Sequence, residues 1–351
     1  MRRIVWIWMM LCAMCLQAQT VTNVVARQVG NTVEISYDLD MAATVSLLLS
    51  RDGGATYSAT PKTITGDIGQ TSAGHKKMVW SLLSDGTDWD IARARFRVVV
   101  VLKPKLSFTV NGVSFTMVAV EGGTFTMGCT SEQGGECDND ESPAHSVTLS
   151  DYYIGQTEVT QGLWKAVMGT TLRQQRDNAN SGWGISGEGD HYPMYFINWD
   201  ECQGFIYKLN TILSSQLGGK RFALPTEAQW EYAARGGKKS NRYKYSGSSS
   251  IGTVAWYIFN CASSTHQVAT KSPNELGLYD MSGNVWEWCQ DWYGNYSGSS
   301  QTNPRGPSSG SSRVFRGGSY YNIAEACRVS VRFGDSPMYR NAGLGFRLVC
   351  Q

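Results

Sequence analysis

A chain of 351 residues, 42% hydrophobic and 17% charged, has the length for two domains and the composition of a folded protein, which excludes a disordered or low-complexity chain. Its formal charge of +2 falls to zero without Arg2 and Arg3. A neutral chain has no general electrostatic attraction to nucleic acid or to an anionic membrane surface, so neither is an expected partner.

The first element, MRRIVWIWMMLCAMCLQAQ (1–19), joins a basic start to an apolar run over 4–16 and a small residue at Ala18. This reads as a secretory signal peptide, with a run too short for a permanent membrane span. Leu11 and Met14 precede Cys12 and Cys15, where a lipoprotein signal needs a small residue. Export to the medium, a periplasm or the cell surface is therefore expected, and no later stretch is apolar for long enough to make a transmembrane helix. Of nine cysteines, the seven after the signal are Cys129, Cys137, Cys202, Cys261, Cys289, Cys327 and Cys350. Export permits disulfides, and seven is odd, so at least one thiol is left over or pairs between chains. Cys129 and Cys137, flanking the turn-rich TSEQGGE, are the nearest candidates for a loop disulfide. No spacing fits a zinc site of the paired CxxC type.

Residues 20–103 carry short alternating runs (NTVEISYDL, ATVSLLLS, ARARFRVVVVL) between turn signals (RDGGA, SDGTD). That pattern predicts a β-sandwich of the immunoglobulin or fibronectin type III kind, acting as a spacer or as a docking module for a cell-surface partner. From 104 to 351 glycine, tryptophan and tyrosine become dense and alternation becomes rare. Helices are predicted around 160–169 (TQGLWKAVMG), 198–213 (NWDECQGFIYKLNTIL) and 226–237 (TEAQWEYAARGG), the last opening on Thr226 and closing on Gly236 and Gly237. The stretch 296–312 (YSGSSQTNPRGPSSGSS) reads as a surface loop. Within NVWEW, Trp286 and Trp288 share one side and Glu287 faces the other. With Asp280 and the carbonyls of a glycine-containing turn, Glu287 offers the hard oxygen ligands that calcium takes.

Six blocks then occur in order: VEGGTFTMG (120–128), YYIGQTEVTQGLW (152–164), FALPTEAQWEYAARGG (222–237), ELGLYDMSGNVWEWCQDWY (275–293), RVFRGGS (313–319) and LGFRLV (344–349). On these, residues 113–350 resemble the sulfatase-modifying factor family, whose founding member is the formylglycine-generating enzyme. The resemblance implies an α+β chain overall, with the sandwich followed by a fold related to C-type lectins that has little regular secondary structure. It also implies one structural calcium ion at Asp280, Gly283, Val285 and Glu287. The family's second calcium loop, expected after VAWY (254–257), finds no matching ligands in IFNCASSTHQVATKSPN.

The family's oxidase holds copper between two thiolates five residues apart and turns a sulfatase cysteine into formylglycine. Paired soft thiolates suit Cu(I), and one thiolate leaves the metal underligated. Counted from Gly317, Gly318 and Ser319, the second thiolate is Cys327 and the first position is Asn322. No catalytic residue is therefore expected; if the chain is nevertheless an oxidase, Cys327, Ser319 and Trp286 are its site residues and copper its cofactor. Otherwise Cys327 is a buried or disulfide-bonded cysteine, with Cys289 as a candidate partner. A second branch of the family builds an iron site from histidines in a helical domain; His75, His145, His191 and His266 are too scattered for that. No GxSxG elbow supports a serine hydrolase.

Between Gly317 and Arg347, pieces of family framework (GGS, Cys327 with Arg328, Arg332, Ser336 with Pro337, Arg340, LGFR) alternate with residues that share no period. Those residues are Tyr320, Tyr321, Asn322, Ile323, Ala326, Val331, Phe333, Gly334, Asp335, Tyr339, Asn341, Ala342 and Gly343. The segment resembles the variable region of proteins diversified by retroelements. There, adenine-directed change of asparagine codons excludes Lys, Glu, Gln, Met and Trp. All thirteen residues are allowed outcomes, whereas Met338 is not and counts as framework. The expected function is an exported protein binding a protein or glycan ligand at this surface, with Tyr320, Tyr321, Phe333 and Tyr339 as exposed contacts. The alternatives are the oxidase and a structural component of a cell-surface assembly.

Overall fold

The computed structural model describes residues 21–39, 43–57, 59–71, 74–81, 94–101, 105–135, 137–179 and 182–351; the expected signal segment lies outside the described residues. The chain divides into two compact units, 1–103 and 104–351. No helix among the described residues is long and apolar enough to cross a membrane.

The first unit contains β1 (Val21–Val29), β2 (Thr32–Leu39), β3 (Ala43–Ser50), β4 (Ile64–Gly66), β5 (Gly69–Thr71), β6 (Gly74–Ser81) and β7 (Arg95–Val101). They form two antiparallel sheets, ordered β1-β2-β6-β4 and β5-β3-β7. Alternation in the sequence becomes two facing layers: Val33, Ile35, Tyr37 and Leu39 from one sheet and Val45, Leu47 and Leu49 from the other meet in one core with Met78, Trp80 and Val98. Each such aliphatic side chain, fully buried, contributes about 1.5–3 kcal/mol before conformational entropy is subtracted. The turn after β3 is closed by its own side chains, as Asp52 accepts from the Ser50 hydroxyl and from the Thr56 N–H.

The second unit is mostly β with a few helices. One five-stranded sheet has the order β13-β19-β12-β9-β8, built from β8 (Leu106–Val110), β9 (Val113–Val120), β12 (Tyr152–Gly155), β13 (Phe222–Ala223) and β19 (Val349–Cys350). A three-stranded sheet joins β10 (Gly123–Met127), β11 (His145–Leu149) and β15 (Gln301–Thr302). The third sheet, ordered β17-β16-β14-β18, takes β14 (Trp286–Trp292), β16 (Arg313–Arg316), β17 (Arg332–Asp335) and β18 (Leu344–Gly345).

The three expected helices form where their capping residues put them. In α1 (Gln161–Met168), Thr160 accepts from the Leu163 N–H and Gly169 closes the last turn at φ 80°. A further helix, α2 (Leu172–Asn178), begins with a Thr171–Gln174 capping box that the sequence reading passed over. In α3 (Trp199–Ile212), Asn198 and Glu201 form a capping box, and Cys202, Phe205, Ile206 and Leu209 line the buried face. Thr226 and Gln229 do the same for α4 (Glu227–Ala234), every residue of which is buried. A last short helix, α5, spans Ile251–Val254. Trp164 of α1 stacks on Phe205 of α3 at 5.4 Å, and Phe346 meets both rings edge-on.

Cys129 and Cys137 form a disulfide with Cα atoms 6.0 Å apart. The candidate pairing of Cys327 with Cys289 does not occur. Both are free and buried, Cys289 among the side chains around Trp230 and Cys327 between Tyr245 and Val254.

Candidate functional site

Strand pairing assembles the site. Antiparallel β16 and β17 place Phe315 opposite Phe333, and parallel β14 and β18 place Trp286 opposite Leu344. Trp286 consequently meets Phe315 at 5.3 Å and Phe333 at 5.4 Å, both edge-on, while the two phenylalanines stack at 6.2 Å. Phe333 is the outermost of the three, 49% exposed against 5% for Trp286.

Asn322 is the polar counterpart of that cluster. Its side-chain oxygen accepts the Trp286 indole N–H at 2.8 Å, the Ser319 N–H at 3.1 Å and the Ser319 hydroxyl. Tyr321, between Ser319 and Asn341, has its hydroxyl pushed up to about 12 by burial. Asn341 in turn donates to the Tyr339 hydroxyl at 3.1 Å and accepts the Gly343 N–H at 2.8 Å. The Asn322 carbonyl accepts the Ile258 N–H at 3.0 Å, which brings the exposed side chains of Ile258 and Phe259 to the same edge. Nothing in the loop after VAWY signalled that pair in the sequence.

The thirteen positions divide by depth. Ile323, Phe333 and Tyr339 are exposed, and Tyr321, Asn322, Ala326, Gly334 and Asp335 are half-buried. Tyr320, Val331, Asn341, Ala342 and Gly343 are buried. The expectation of Tyr320 as an exposed contact is therefore corrected. It is 5% exposed, its N–H bonds the Asn284 carbonyl, and its ring lies edge-on to Tyr321 at 5.0 Å. Val331 and Ala342 face the core that contains Trp286 and Phe346.

Framework arginines lock the segment from beneath. Arg316 pairs with Glu231 and Glu227, Arg328 with Glu141 at 2.6 Å, Arg332 with Glu227 at 2.7 Å and Arg347 with Glu287 at 2.6 Å. All four guanidinium groups are buried, and none of these partners is among the thirteen positions. Removing one partner of such a buried pair costs about 3–5 kcal/mol, because the other charge is left uncompensated.

At the positions of the oxidase thiolates stand one amide, Asn322, and one buried thiol, Cys327. Asn322 offers an amide oxygen already engaged by three donors. Burial pushes the Cys327 thiol up to about 12. Ser319 and Trp286 stand beside Asn322 but are committed to it.

Around the expected calcium ligands, Asp280 and Asn284 adopt left-handed backbone at φ 57° and 58° on either side of Gly283 at φ 81°. The Glu287 carboxylate accepts Arg347 at 2.6 Å on both oxygens and the Trp230 indole N–H at 2.7 Å. On this count Oε2 is filled and Oε1 keeps one lone pair. Asp280 Oδ2 accepts the Ala269 N–H at 2.8 Å, whereas Oδ1 is buried without a partner. An unpartnered, buried carboxylate oxygen fits a cation ligand. Burial raises the Asp280 carboxyl to about 6. Glu158, which the sequence reading did not single out, lies in the same electrostatic cluster; burial and the neighbouring Asp280 and Glu287 drive its carboxyl well above the ordinary range. Among the described residues no three carboxylate, histidine or cysteine side chains converge into a metal site by themselves.

The fold and this geometry have relatives. The family model for the sulfatase-modifying factor enzyme 1-like domain matches residues 109–351. The formylglycine-generating enzyme of Streptomyces coelicolor is 30% identical over 287 residues, covering 66% of this chain and 87% of its own. Treponema denticola variable protein 1 superposes with a TM-score of 0.60 at 35% identity, over 70% of this chain and 98% of that one. PvdO from Pseudomonas aeruginosa, 22% identical, shares the fold with a TM-score of 0.54 over 72% of this chain and 100% of its own. The likeness to a variable protein agrees with the resemblance of residues 320–343 to a retroelement-diversified region. With more than half of its length matched by the family model, the chain belongs to the sulfatase-modifying factor enzyme 1-like family.

Proposed function

We propose that the chain is an exported ligand-binding protein that displays residues 320–343 as a diversified surface and carries out no oxidase chemistry. The observation that carries this reading is the state of Asn322: where the oxidase needs a thiolate, an amide oxygen clamps Trp286 and Ser319. The buried arginine pairs support it, because they fasten the framework without using any of the thirteen positions. A rigid scaffold of that kind tolerates changes on its outer face. The ligand is a protein or a glycan met by Ile323, Phe333 and Tyr339, with the half-buried positions shaping the floor.

Under this reading residues 20–103 form an immunoglobulin- or fibronectin-like module that engages a cell-surface partner, supported by two antiparallel sheets around one core. A calcium ion at Asp280, Gly283, Val285 and Glu287 would supply positive charge to a buried carboxylate cluster and brace the loop that delivers Trp286. The unpartnered Asp280 oxygen supports it.

Sequencing the 3′ end of the gene deeply across isolates tests the central claim. Variation confined to the thirteen positions is expected, with residues 20–300 constant; an invariant end removes the diversified reading. Incubating the chain with copper, oxygen and a cysteine-containing sulfatase peptide tests the alternative that identity to the formylglycine-generating enzyme raises. Mass spectrometry should show the peptide thiol intact, and an aldehyde product lost in Cys327→Ala would establish the oxidase instead.

A further inference from the structure

A cavity of about 300 Å³ opens between the start of α4, the end of β14 and the loop that follows β14. One wall is the stretch 304–307, part of the Gly-, Ser- and Pro-rich segment to which the display surface gives no role. Some polar groups around the cavity are already spent. Glu227 accepts Arg332 on both oxygens at 2.7 Å and the Tyr296 hydroxyl at 3.0 Å, and Arg332 also donates to the Gly294 carbonyl. Three others are not. Asp291, 4% exposed, uses Oδ2 on the Glu227 N–H at 3.0 Å, while Oδ1 has no hydrogen-bond partner among the described residues. A Cβ at Gly306 would stand 3.2 Å from that oxygen, so the glycine leaves it uncovered. His145, 5% exposed, donates from Nδ1 to the Pro143 carbonyl at 3.0 Å, which leaves Nε2 of the neutral ring as a free acceptor. Arg305, exposed at the rim, has no hydrogen-bond or ion-pair partner among the described residues, yet its charge reaches Asp291.

We propose that this cavity binds a small zwitterion of the α-amino acid class, its ammonium held by Asp291 Oδ1 and His145 Nε2 and its carboxylate by Arg305. The buried groups offer acceptors and one uncompensated carboxylate, and the rim offers a cation. An ammonium brings three donors and the compensating charge, and a guanidinium takes a carboxylate through two parallel hydrogen bonds. Met127, Ala228 and Pro307 leave an apolar wall for the ligand's own side chain. The volume lies at the lower end for small-molecule sites, which suits a metabolite of this size. A metal ion is a poorer occupant, because no three carboxylate, histidine or cysteine side chains converge to hold one among the described residues. None of the thirteen positions in 320–343 lines the cavity, so this site is separate from the display surface.

The test uses the full chain at pH 8, above the value of about 7 to which burial raises the Asp291 carboxyl. The thermal midpoint is read with each of the common amino acids at millimolar concentration, and those that raise it are titrated by calorimetry. At least one is expected to bind. Its analogue without the carboxylate and its analogue without the ammonium should each bind at least tenfold more weakly. Asp291→Asn, which keeps the acceptor for the Glu227 N–H and removes the charge, should weaken binding at least tenfold, and Arg305→Ala should do the same. Should Asp291→Asn fold poorly, Arg305→Ala on the exposed loop and the two analogues still decide. No response of wild type to any amino acid overturns the proposal. Affinity unchanged in the folded variants places the ligand elsewhere and overturns it too, and an amine that binds as tightly as its amino acid overturns the zwitterion.

Discussion

The indole N–H of Trp286 points at the side-chain oxygen of Asn322 from 2.8 Å, across 36 residues of sequence. Trp286 belongs to the framework strand β14, and Asn322 is one of the positions expected to vary. The bond therefore ties display to framework. Replacing Asn322 with Ala leaves three donors without an acceptor, two of them on the fully buried Ser319. An unmet donor of this kind costs about 1–3 kcal/mol. Urea unfolding of the second unit, followed by tryptophan fluorescence, should show a clear loss for Asn322→Ala and a smaller one for Asn322→Asp, which keeps an acceptor. Equal midpoints in all three proteins would mean that water replaces the amide at no cost.

That bond also marks the limit of what was legible in the sequence. Local signals transferred well: Thr160 with Gly169 and Thr226 with Gln229 are read within one helical turn, and the helices begin and end there. Alternation in NTVEISYDL likewise became the buried face of β2. Depth within residues 320–343 did not transfer, because that segment has no period and its burial is set by distant partners. Tyr320 is tied down through the Asn284 carbonyl, and Glu287 meets Arg347 sixty positions later. Glu158 was invisible for the same reason: its significance lies in the charges brought around it by other loops, not in TEVT itself.

Cys327 should behave as an inert thiol. It is fully buried, and burial raises it to about 12, so almost no thiolate exists at pH 8. Alkylation of the native chain with iodoacetamide at that pH, followed by peptide mapping, is expected to leave Cys327 unmodified until denaturant is added. Rapid native labelling would mean that the thiol is accessible and ionised, and would favour the oxidase alternative.

Asp291 gives a pH signature of definite sign. Its carboxylate accepts the Glu227 N–H at 3.0 Å, while burial and the nearby Glu227 raise its carboxyl to about 7. A carboxyl raised in the folded state lends stability that is complete below its ordinary range near 4 and is lost as pH climbs through about 7. Asn in its place does not titrate. The thermal midpoint of Asp291→Asn minus that of wild type should therefore rise between pH 5 and pH 8, by the equivalent of a few kcal/mol at most. A difference that stays flat across this range would show that Asp291 is ionised throughout.

Gly343 sets a steric condition on diversification. A Cβ built there would lie 2.5 Å from Tyr321 Cε1 and 3.2 Å from the Ser319 side chain, so any larger residue must displace the tyrosine ring. Both positions are among the thirteen, and their sizes are coupled. Gly343→Ala is expected to destabilise the second unit by about 1–3 kcal/mol through overpacking. Tyr321→Ala removes the ring and should absorb the added methyl, so that the double variant is more stable than the sum of the single losses predicts by about 0.5–3 kcal/mol. Purely additive losses would mean that the tyrosine swings aside freely, in which case positions 321 and 343 can vary independently. Under coupling, sequences from different isolates should instead pair a large residue at 321 with glycine at 343, and a larger residue at 343 with a small one at 321.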